Sequence, residues 1–538
     1  MFIGIDDTDS ERGLCTTYLA AVLMDRLRPF GELVGLPKLV RLNPCAQFKT
    51  RGNAAIAFQI ETERVQEVRD LALQTVVELS DLSGKNTNPG LVMADAVSRC
   101  MRDFYKRAVT EILEIDEARE ILEADGVWHL GFKKGRGLIG ALAAVGAELE
   151  DHTYELIAYR EPKRWGTPRM IDQASVWKAD SLTYPLTWDT VDCHNNRIVF
   201  APHSADPVLF GIRGDDIGAI DLAFRTITSE PWERKVLYLT NQGTDAHIIP
   251  GVVSEIVDNK SYRLKGRVKD APQAIEGGHL FFSIHDKENS LVCAAFEPTK
   301  NFRDTVKKLI PGDLIDVYGA VKERTLNLEK LEVLELADRI ATQAPLCPSC
   351  GKRMKSAGRG QGYRCRRCKL NAEQRELKAL PRDIETGFYE VPPCARRHLS
   401  KQLVRMKGQK VHPSRRKQGD LSQQCTPLQA AGACSFKNLN ISGFGLLNHL
   451  RCALFLEGSF EGRNDLLLPG ENLLLVYGVV RDLAAERLLE SRGCPSGTYE
   501  KDIACFLHNV CEHQHYHVEL LGVLHIVHLR KYSPSLGR

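Results

Sequence analysis

The chain opens on a short apolar run, Phe2-Ile3-Gly4-Ile5, after which Leu19, Val22, Leu23 and Leu27 recur at helical spacing until Pro29 stops the pattern. Residues 32–42 and 54–60 read as strands, and Val65, Val68, Leu71, Ala72 and Val76 form a second helical stripe. A third helix is predicted over LIGALAAVGAEL, directly after Gly137. Alternating strand and helix signals predict an α/β domain over 1–150, with a sheet order the pattern does not specify. A second unit, 151–230, starts with the strand YELIAYR, contains DPVLFGIRG (206–214), and reads as α+β. From Trp232 to Ala337 short strands prevail, interrupted by the helical FRDTVKKLI. That pattern predicts a small Greek-key barrel of the OB type over 231–340, with a small β-sandwich as the alternative it leaves open. The next stretch, 341–417, is rich in cysteine and then in basic residues. Residues 418–538 hold six Cys and seven of the 16 His without a sustained period, and they stay unassigned.

Composition narrows the class. At 538 residues with 43% hydrophobic and 26% charged positions, the chain is that of a multidomain globular protein. Acids stand where a secretory leader would carry Lys or Arg, and no apolar run reaches about 18 residues. A soluble, cytoplasmic protein without a membrane segment is the expectation. The net charge of +3 is uninformative, but its distribution is not. Between Cys347 and Lys417 stand 20 Lys and Arg against 5 Asp and Glu. Such a segment attracts polyanions because binding releases condensed counterions; a solvated basic face or tail accounts for the same charge.

Two motifs carry chemistry. Cys347-Pro-Ser-Cys350 and Cys365-Arg-Arg-Cys368 are paired CxxC knuckles, the spacing that brings four thiolates to one tetrahedral zinc. Four protein ligands leave no open position, so this zinc is expected to be structural. The second motif is GIDDTDS (4–10), where Asp6, Asp7 and Asp9 follow a buried strand. Magnesium bridging phosphate oxygens would neutralise them, with Asp6 and Asp7 as its ligands. A turn whose Asp or Ser caps the next helix accounts for the same letters. Thr16 and Thr17 begin that helix, where amides favour phosphate. Lys133-Lys134-Gly135-Arg136-Gly137 before a helix, and Lys49-Thr50-Arg51-Gly52-Asn53, add cations and glycines suited to phosphate. NTNPG (86–90) is a further polar loop, TNQGTDAH (240–247) another, and Phe281 and Phe282 are candidates for base stacking in the barrel. His513, His515 and His517 alternate; a polar strand face accounts for them, and no site is assigned.

Taken in order, these motifs resemble those of the archaeal isoleucine-tRNA 2-agmatinylcytidine synthetases. The resemblance rests on GIDDTDS with GLCTTYLA (13–20), RLNP (41–44) with KTRGNAA (49–55), NTNPG, GRGLIGALAAVG (135–146), TYELIAYR (153–160), DPVLFGIRGD (206–215), TNQGTDAH, the cysteine knuckles and ARRHLSK (395–401), covering about 1–415. It implies a kinase-like ATP-binding domain, a ferredoxin-like domain, an OB fold, and a zinc ribbon with a basic tRNA-binding arm. The implied reaction joins agmatine to carbon 2 of the wobble cytidine of an isoleucine tRNA with a CAU anticodon. ATP first phosphorylates the carbonyl oxygen, a poor leaving group, and the agmatine amine then displaces phosphate; the product reads AUA. Asp6, Asp7 and Asp9 with magnesium would be catalytic, and Thr16 would be the position the enzyme phosphorylates as ATP goes to AMP. Lys49, Arg51, Lys134, Gly135, Arg136 and Gly137 would bind ATP, and Glu155 and Asp206 are candidates for the dication agmatine. A non-catalytic nucleic-acid adaptor and an ATP-dependent RNA kinase are the competing readings; an adaptor has no use for three carboxylates beside a phosphate loop.

Overall fold

The first strand, β1 (Phe2–Asp6), is buried on both faces because Ile3 and Ile5 point one way and Gly4 the other. The computed structural model describes residues 1–10, 12–47 and 52–414. Lys49, Arg51, the 418–538 extension and its three alternating histidines lie outside the described residues. On one face of β1, helices α1 (Thr16–Leu27) and α2 (Val65–Leu79) cover Ile3 and Ile5 together with Ile56, Phe58 and Ile60. The opposite face carries small residues, Gly4, Ala55 and Ala57, and receives α3 (Arg99–Thr110), α4 (Ile115–Ala124) and α5 (Gly137–Gly146). Gly4 is required here: a Cβ on it would lie 2.3 Å from the Ala141 carbonyl oxygen. α5, composed of Gly, Ala and Leu with Ile and Val, thereby packs backbone-close on the strand that ends in Asp6.

The strands β2 (Glu32–Arg41), β3 (Ala54–Glu61), β4 (Gly90–Ala94) and β5 (Trp128–Gly131) flank β1, and β6 (Thr153–Arg160), β7 (Thr187–Trp188), β10 (Val208–Gly214) and β11 (Trp232–Thr240) continue the same sheet. The order is β5-β4-β1-β3-β2-β11-β6-β10-β7. A short ribbon, β8 (Val191–Asp192) and β9 (Arg197–Ile198), stands apart, and α6 (Gln173–Thr183) and α7 (Ile217–Thr226) cover the second half. Trp232–Thr240, assigned to the barrel, pairs antiparallel with β6 and parallel with β2. A single strand's apolar pattern says that it is buried, not against what. Tyr238 settles the matter physically: its hydroxyl meets that of Tyr159 on β6 at 2.9 Å and donates to the Thr17 carbonyl at 3.1 Å. The two units read as separate thus share one sheet.

The barrel itself begins at β12 (Ile248–Gly251) and comprises β13 (Ser261–Val268), β14 (Gln273–Ala274), β15 (Leu280–Asp286), β16 (Asn289–Ala295), α8 (Phe302–Val306), β17 (Leu314–Lys322) and β18 (Thr325–Glu335). Pairing runs β13-β15-β16-β18-β17 and back to β13, so the circle closes as an OB-fold barrel does. Phe282 is in its core, whereas Phe281 is half-buried on the outside, edge-on to Phe296.

β19 (Arg339–Gln343) and β23 (Glu376–Leu380) form a stalk that carries β20 (Lys355–Ser356), β21 (Tyr363–Arg364) and β22 (Asn371–Ala372). The chain then returns: β24 (Gly387–Glu390) adds to β18, and β25 (Val411–His412) to β24. The expected basic arm is therefore not an arm. Arg382 binds Asp313 at 2.8 Å, Arg396 binds Asp189 and Glu390, and Arg405 binds Asp151 at 2.8 Å and Asp215 at 2.7 Å. These cations clasp the segment onto the sheet and the barrel. Among the described residues no helix is long and apolar enough to cross a membrane.

Candidate functional site

Asp6 is the last residue of β1, and its side chain lies over α5 at Gly140, where a Cβ would fall 1.9 Å from Asp6 Oδ2. Burial, and then the charge of Asp7, holds the Asp6 carboxyl well above the usual range. Asp7 takes a left-handed backbone, φ 55°, costly for a residue with a side chain and therefore a sign of imposed geometry. Arg136 donates to its Oδ2 from Nη2 at 2.9 Å and Nε at 3.1 Å, and Asn88 Nδ2 donates at 3.5 Å. Burial still outweighs Arg136, and the carboxyl is raised to about 6. Asp9 Oδ1 accepts from the amide and hydroxyl of Thr16 at 2.6 and 2.9 Å, and Thr8 Oγ1 donates to Thr16 Oγ1 at 3.0 Å. Asp9 thus satisfies the first amide of α1 from outside the helix, whose N-cap residue is Cys15. Asp6 and Asp7 take no part in that contact.

These residues form one end of an open cleft of about 840 Å³ including its mouth. Asp6, Asp7, Asp9, Thr16, Arg136 and Gly140 line that end; Leu42, Asn43, Asn53, Glu111, Ile112, Leu113 and Ile139 line the other. One end carries the acidic cluster and Arg136; the other is largely apolar, with amides and with Glu111, which Lys260 pairs, a division suited to a nucleotide or nucleobase. Of the phosphate-loop residues, Arg136 lines the cleft, Gly137 begins α5 with its amide on the Asn88 carbonyl at 2.9 Å, and Gly135 turns with φ 69°. Lys134 is exposed and outside the lining, while Lys133 ties the loop to the Gly84 and Thr87 carbonyls. The apolar end is absent from the sequence expectations. Asn43 and Asn53 stand inside RLNP and KTRGNAA, motifs that supplied only Lys49 and Arg51; Ile112 and Leu113 follow α3 with no local signal.

Glu155 and Asp206 are not in this lining. Burial would raise Glu155, but Arg213 at 3.0 Å and Arg41 at 3.9 Å together hold it below the usual range, and Gln242 Nε2 donates to it at 2.5 Å. Both its oxygens are thus occupied by protein donors. Asp206 accepts from Arg169 at 3.2 Å, from the Val208 amide at 2.9 Å and from Ser204. Its loop does meet the acidic loop: the Ala205 carbonyl lies 3.4 Å from where a Gly13 Cβ would stand. TNQGTDAH is a splice between sheet and barrel. Asn241 exchanges hydrogen bonds with the Arg41 backbone at 2.8 and 2.9 Å, and His247 pairs with Glu329 at 3.0 Å.

Cys347, Cys350, Cys365 and Cys368 place their sulfurs within 4.8 Å of one another, among the described residues the group that meets metal-ligand spacing. The knuckles match. The Gly351 amide donates to Cys347 O at 2.8 Å, the Lys369 amide to Cys365 O at 2.9 Å, and both turn residues are left-handed, φ 66° and 61°. The Cys368 amide foremost lowers the Cys365 thiol to about 6, toward the thiolate a metal requires.

Comparison with known proteins covers about three quarters of the chain. Family models match residues 2–134 (TiaS TCKD domain), 135–247 (TiaS FLD domain), 262–334 (OB-fold nucleic acid binding domain) and 344–384 (TiaS C-terminal zinc ribbon domain). The chain is 48% identical over 409 residues to the isoleucine-tRNA 2-agmatinylcytidine synthetase TiaS of Archaeoglobus fulgidus, spanning 76% of this chain and 97% of that one. It is similar to the crystal structure of a complex of TiaS with its isoleucine tRNA and ATP, with TM-score 0.72, 46% identity, and 77% and 99% of the two chains covered. A complex of TiaS with the same tRNA, AMPCPP and agmatine matches at TM-score 0.70 and 44% identity, covering 77% and 99%.

Proposed function

The chain belongs to the isoleucine-tRNA 2-agmatinylcytidine synthetase family, and we propose that its cleft is where ATP and the wobble cytidine meet. The protein is an ATP-dependent ligase that joins agmatine to the wobble cytidine of an isoleucine tRNA. The first half of the sheet with α1–α5 then serves as the kinase-like domain, and the second half with α6 and α7 as the ferredoxin-like one. The observation that carries the reading is the convergence of Asp6, Asp7 and Asp9 with Arg136 at one end of a cleft whose other end is apolar.

The electrostatics fit a divalent cation: the charges acting on Asp6 are two anions, Asp7 and Asp9, and one cation, Arg136. Asp6 and Asp7 would hold magnesium, which neutralises phosphate oxygens in phosphoryl transfer. Arg136, fixed by Asp7, presents its guanidinium on the same wall. Thr16, at the amide-rich start of α1, would receive a phosphoryl group, with Asp9 holding its hydroxyl. The carbonyl oxygen of cytidine C2 is phosphorylated, the neutral agmatine amine bonds to C2, and the C2–O bond breaks with release of phosphate. An aspartate of the cluster accepts the amine proton, since an ammonium has no lone pair for attack. Asn53 would read the flipped base by its polar edge. Both oxygens of Asp206, like those of Glu155, are engaged by protein donors, so neither carboxylate is assigned to agmatine.

The four cysteines would hold structural zinc, closing a ribbon that keeps Lys352, Lys355, Arg359, Arg364, Arg366, Arg367 and Lys369 exposed for the tRNA backbone. The test is incorporation of radiolabelled agmatine into the isoleucine tRNA with ATP and magnesium. Asp6→Asn and Asn53→Ala should each lose at least about a hundredfold in kcat/KM. Full activity in both would remove the cleft as the reaction site.

A further inference from the structure

The apolar wall of the cleft is tied to the barrel. Asn43, 2% exposed, donates from its backbone amide to the Ala108 carbonyl at 3.0 Å and accepts the Cys45 amide on Oδ1 at 2.8 Å. Its Nδ2 leaves the domain and donates to the Asn259 carbonyl at 3.1 Å. Glu111, directly after α3 and also lining the cleft, accepts from Lys260 Nζ at 2.8 Å. Both contacts therefore land on consecutive residues of one barrel turn, just before β13. That turn is itself fixed. Asn259 is left-handed, φ 66°, and donates to the Val321 carbonyl at 2.8 Å, while Val321 returns a bond to Lys260 O at 2.9 Å. The Asp258 carboxylate accepts the Glu323 and Arg324 amides at 3.0 Å each, locking the turn to the tip of the β17–β18 hairpin.

Nothing in the reaction chemistry requires a lysine at 260, and the barrel's own core does not use it. We infer that the turn Asp258–Lys260 is a positioning element of the cleft. Through Asn43 and Glu111 it sets the wall that receives the nucleobase, so that RNA seated on the barrel and the geometry of the reacting base are coupled by a rigid connection. The inference rests on the cleft being the site of ATP and cytidine. It names Lys260 as a positioning residue, remote from the acidic end, whose removal affects turnover and not RNA affinity.

Steady-state agmatine incorporation into the isoleucine tRNA with the full chain tests it. Lys260→Ala should lower kcat about fivefold, the scale of a partly exposed ion pair, with KM for tRNA within about twofold of wild type. Lys260→Arg, which keeps the charge, should recover kcat to within about twofold. Asp258→Ala, which frees the turn without removing a cation from the RNA's reach, should lower kcat in the same way. A rise in KM for tRNA at unchanged kcat would make Lys260 a phosphate contact and overturn the inference, as would three variants with wild-type kinetics. Photolabelling of the wild-type protein with an azido-ATP separates the underlying premise. Label on peptides of the cleft upholds the cleft as the nucleotide site whatever Lys260 does, and label elsewhere removes the premise itself.

Discussion

Replacing Asp7 by Asn should stabilise the metal-free protein while abolishing its activity, and the size of the gain should depend on pH. Burial raises the Asp7 carboxyl from an ordinary 3.8 to about 6 despite Arg136. A raised carboxyl binds its proton more tightly in the folded state, so folding is penalised as pH climbs through the interval between the two values and the penalty is constant above it. For these values the ionised side chain costs about 3 kcal/mol at pH 7.5 and about half of that at pH 5. Asn does not titrate and escapes the cost. With an unfolding entropy of roughly 0.8 kcal/mol/K for some four hundred ordered residues, Asp7→Asn should melt about 3–4 °C above wild type at pH 7.5. At pH 5 the gap should halve. Thermal melts in chelator at both pH values measure it, and adding magnesium and ATP should raise the wild type but not the variant. A variant that melts below wild type at pH 7.5, or a gap that does not change with pH, refutes the electrostatic account of this cluster.

Other consequences follow from particular contacts. Gly140→Ala would put a methyl group 1.9 Å from the present position of Asp6 Oδ2 and must displace that carboxylate; agmatine incorporation should fall at least about a hundredfold while the far-UV circular dichroism spectrum is retained. Arg160→Met strands Glu230, the partner of a fully buried pair at 2.7 Å, and should cost about 3–5 kcal/mol in urea unfolding, part of it recovered by Arg160→Met with Glu230→Gln. Chelation that releases one zinc per chain, or Cys365→Ser, should weaken tRNA binding and flatten its salt dependence, with ATP binding unchanged.

Much of this architecture is legible in the sequence because the signals are local. Paired CxxC knuckles specify a four-sulfur site by spacing alone, and three aspartates after Phe2–Ile5 announce a charged edge to a buried strand. Contact between distant segments is what the letters do not carry. The Trp232–Thr240 strand shows its burial in its own composition but not its partners, and only β2 and β6 reveal that two apparent domains share a sheet. The basic stretch after the ribbon reads as an arm for RNA, since a count of arginines does not show their counter-ions; Asp151, Asp189, Asp215 and Asp313 come from four separate parts of the sequence. Glu155 looks available for a cationic substrate for the same reason, and Arg41 and Arg213 occupy it. Asn43 and Glu111 are hidden twice over, by sitting in plain loops and by acting through a turn more than a hundred residues away.

The arrangement of charge also explains why so acidic a site is tolerated. Burial against a sheet end and a helix made of small residues penalises the ionised form of Asp6 and Asp7, and α5 packs so close that a Cβ at Gly140 would collide with the Asp6 carboxylate. A positive charge brought to that end would recover this free energy, so a cation carrying phosphates would bind there with assistance from relief of repulsion. A free cytidine gains nothing from it. The apolar end favours a base and has no electrostatic deficit to relieve, and its wall is braced by the barrel through Asn259 and Lys260. On the proposed reading, nucleotide is drawn by charge to one end and base is admitted by shape to the other, with tRNA on the barrel aligning them.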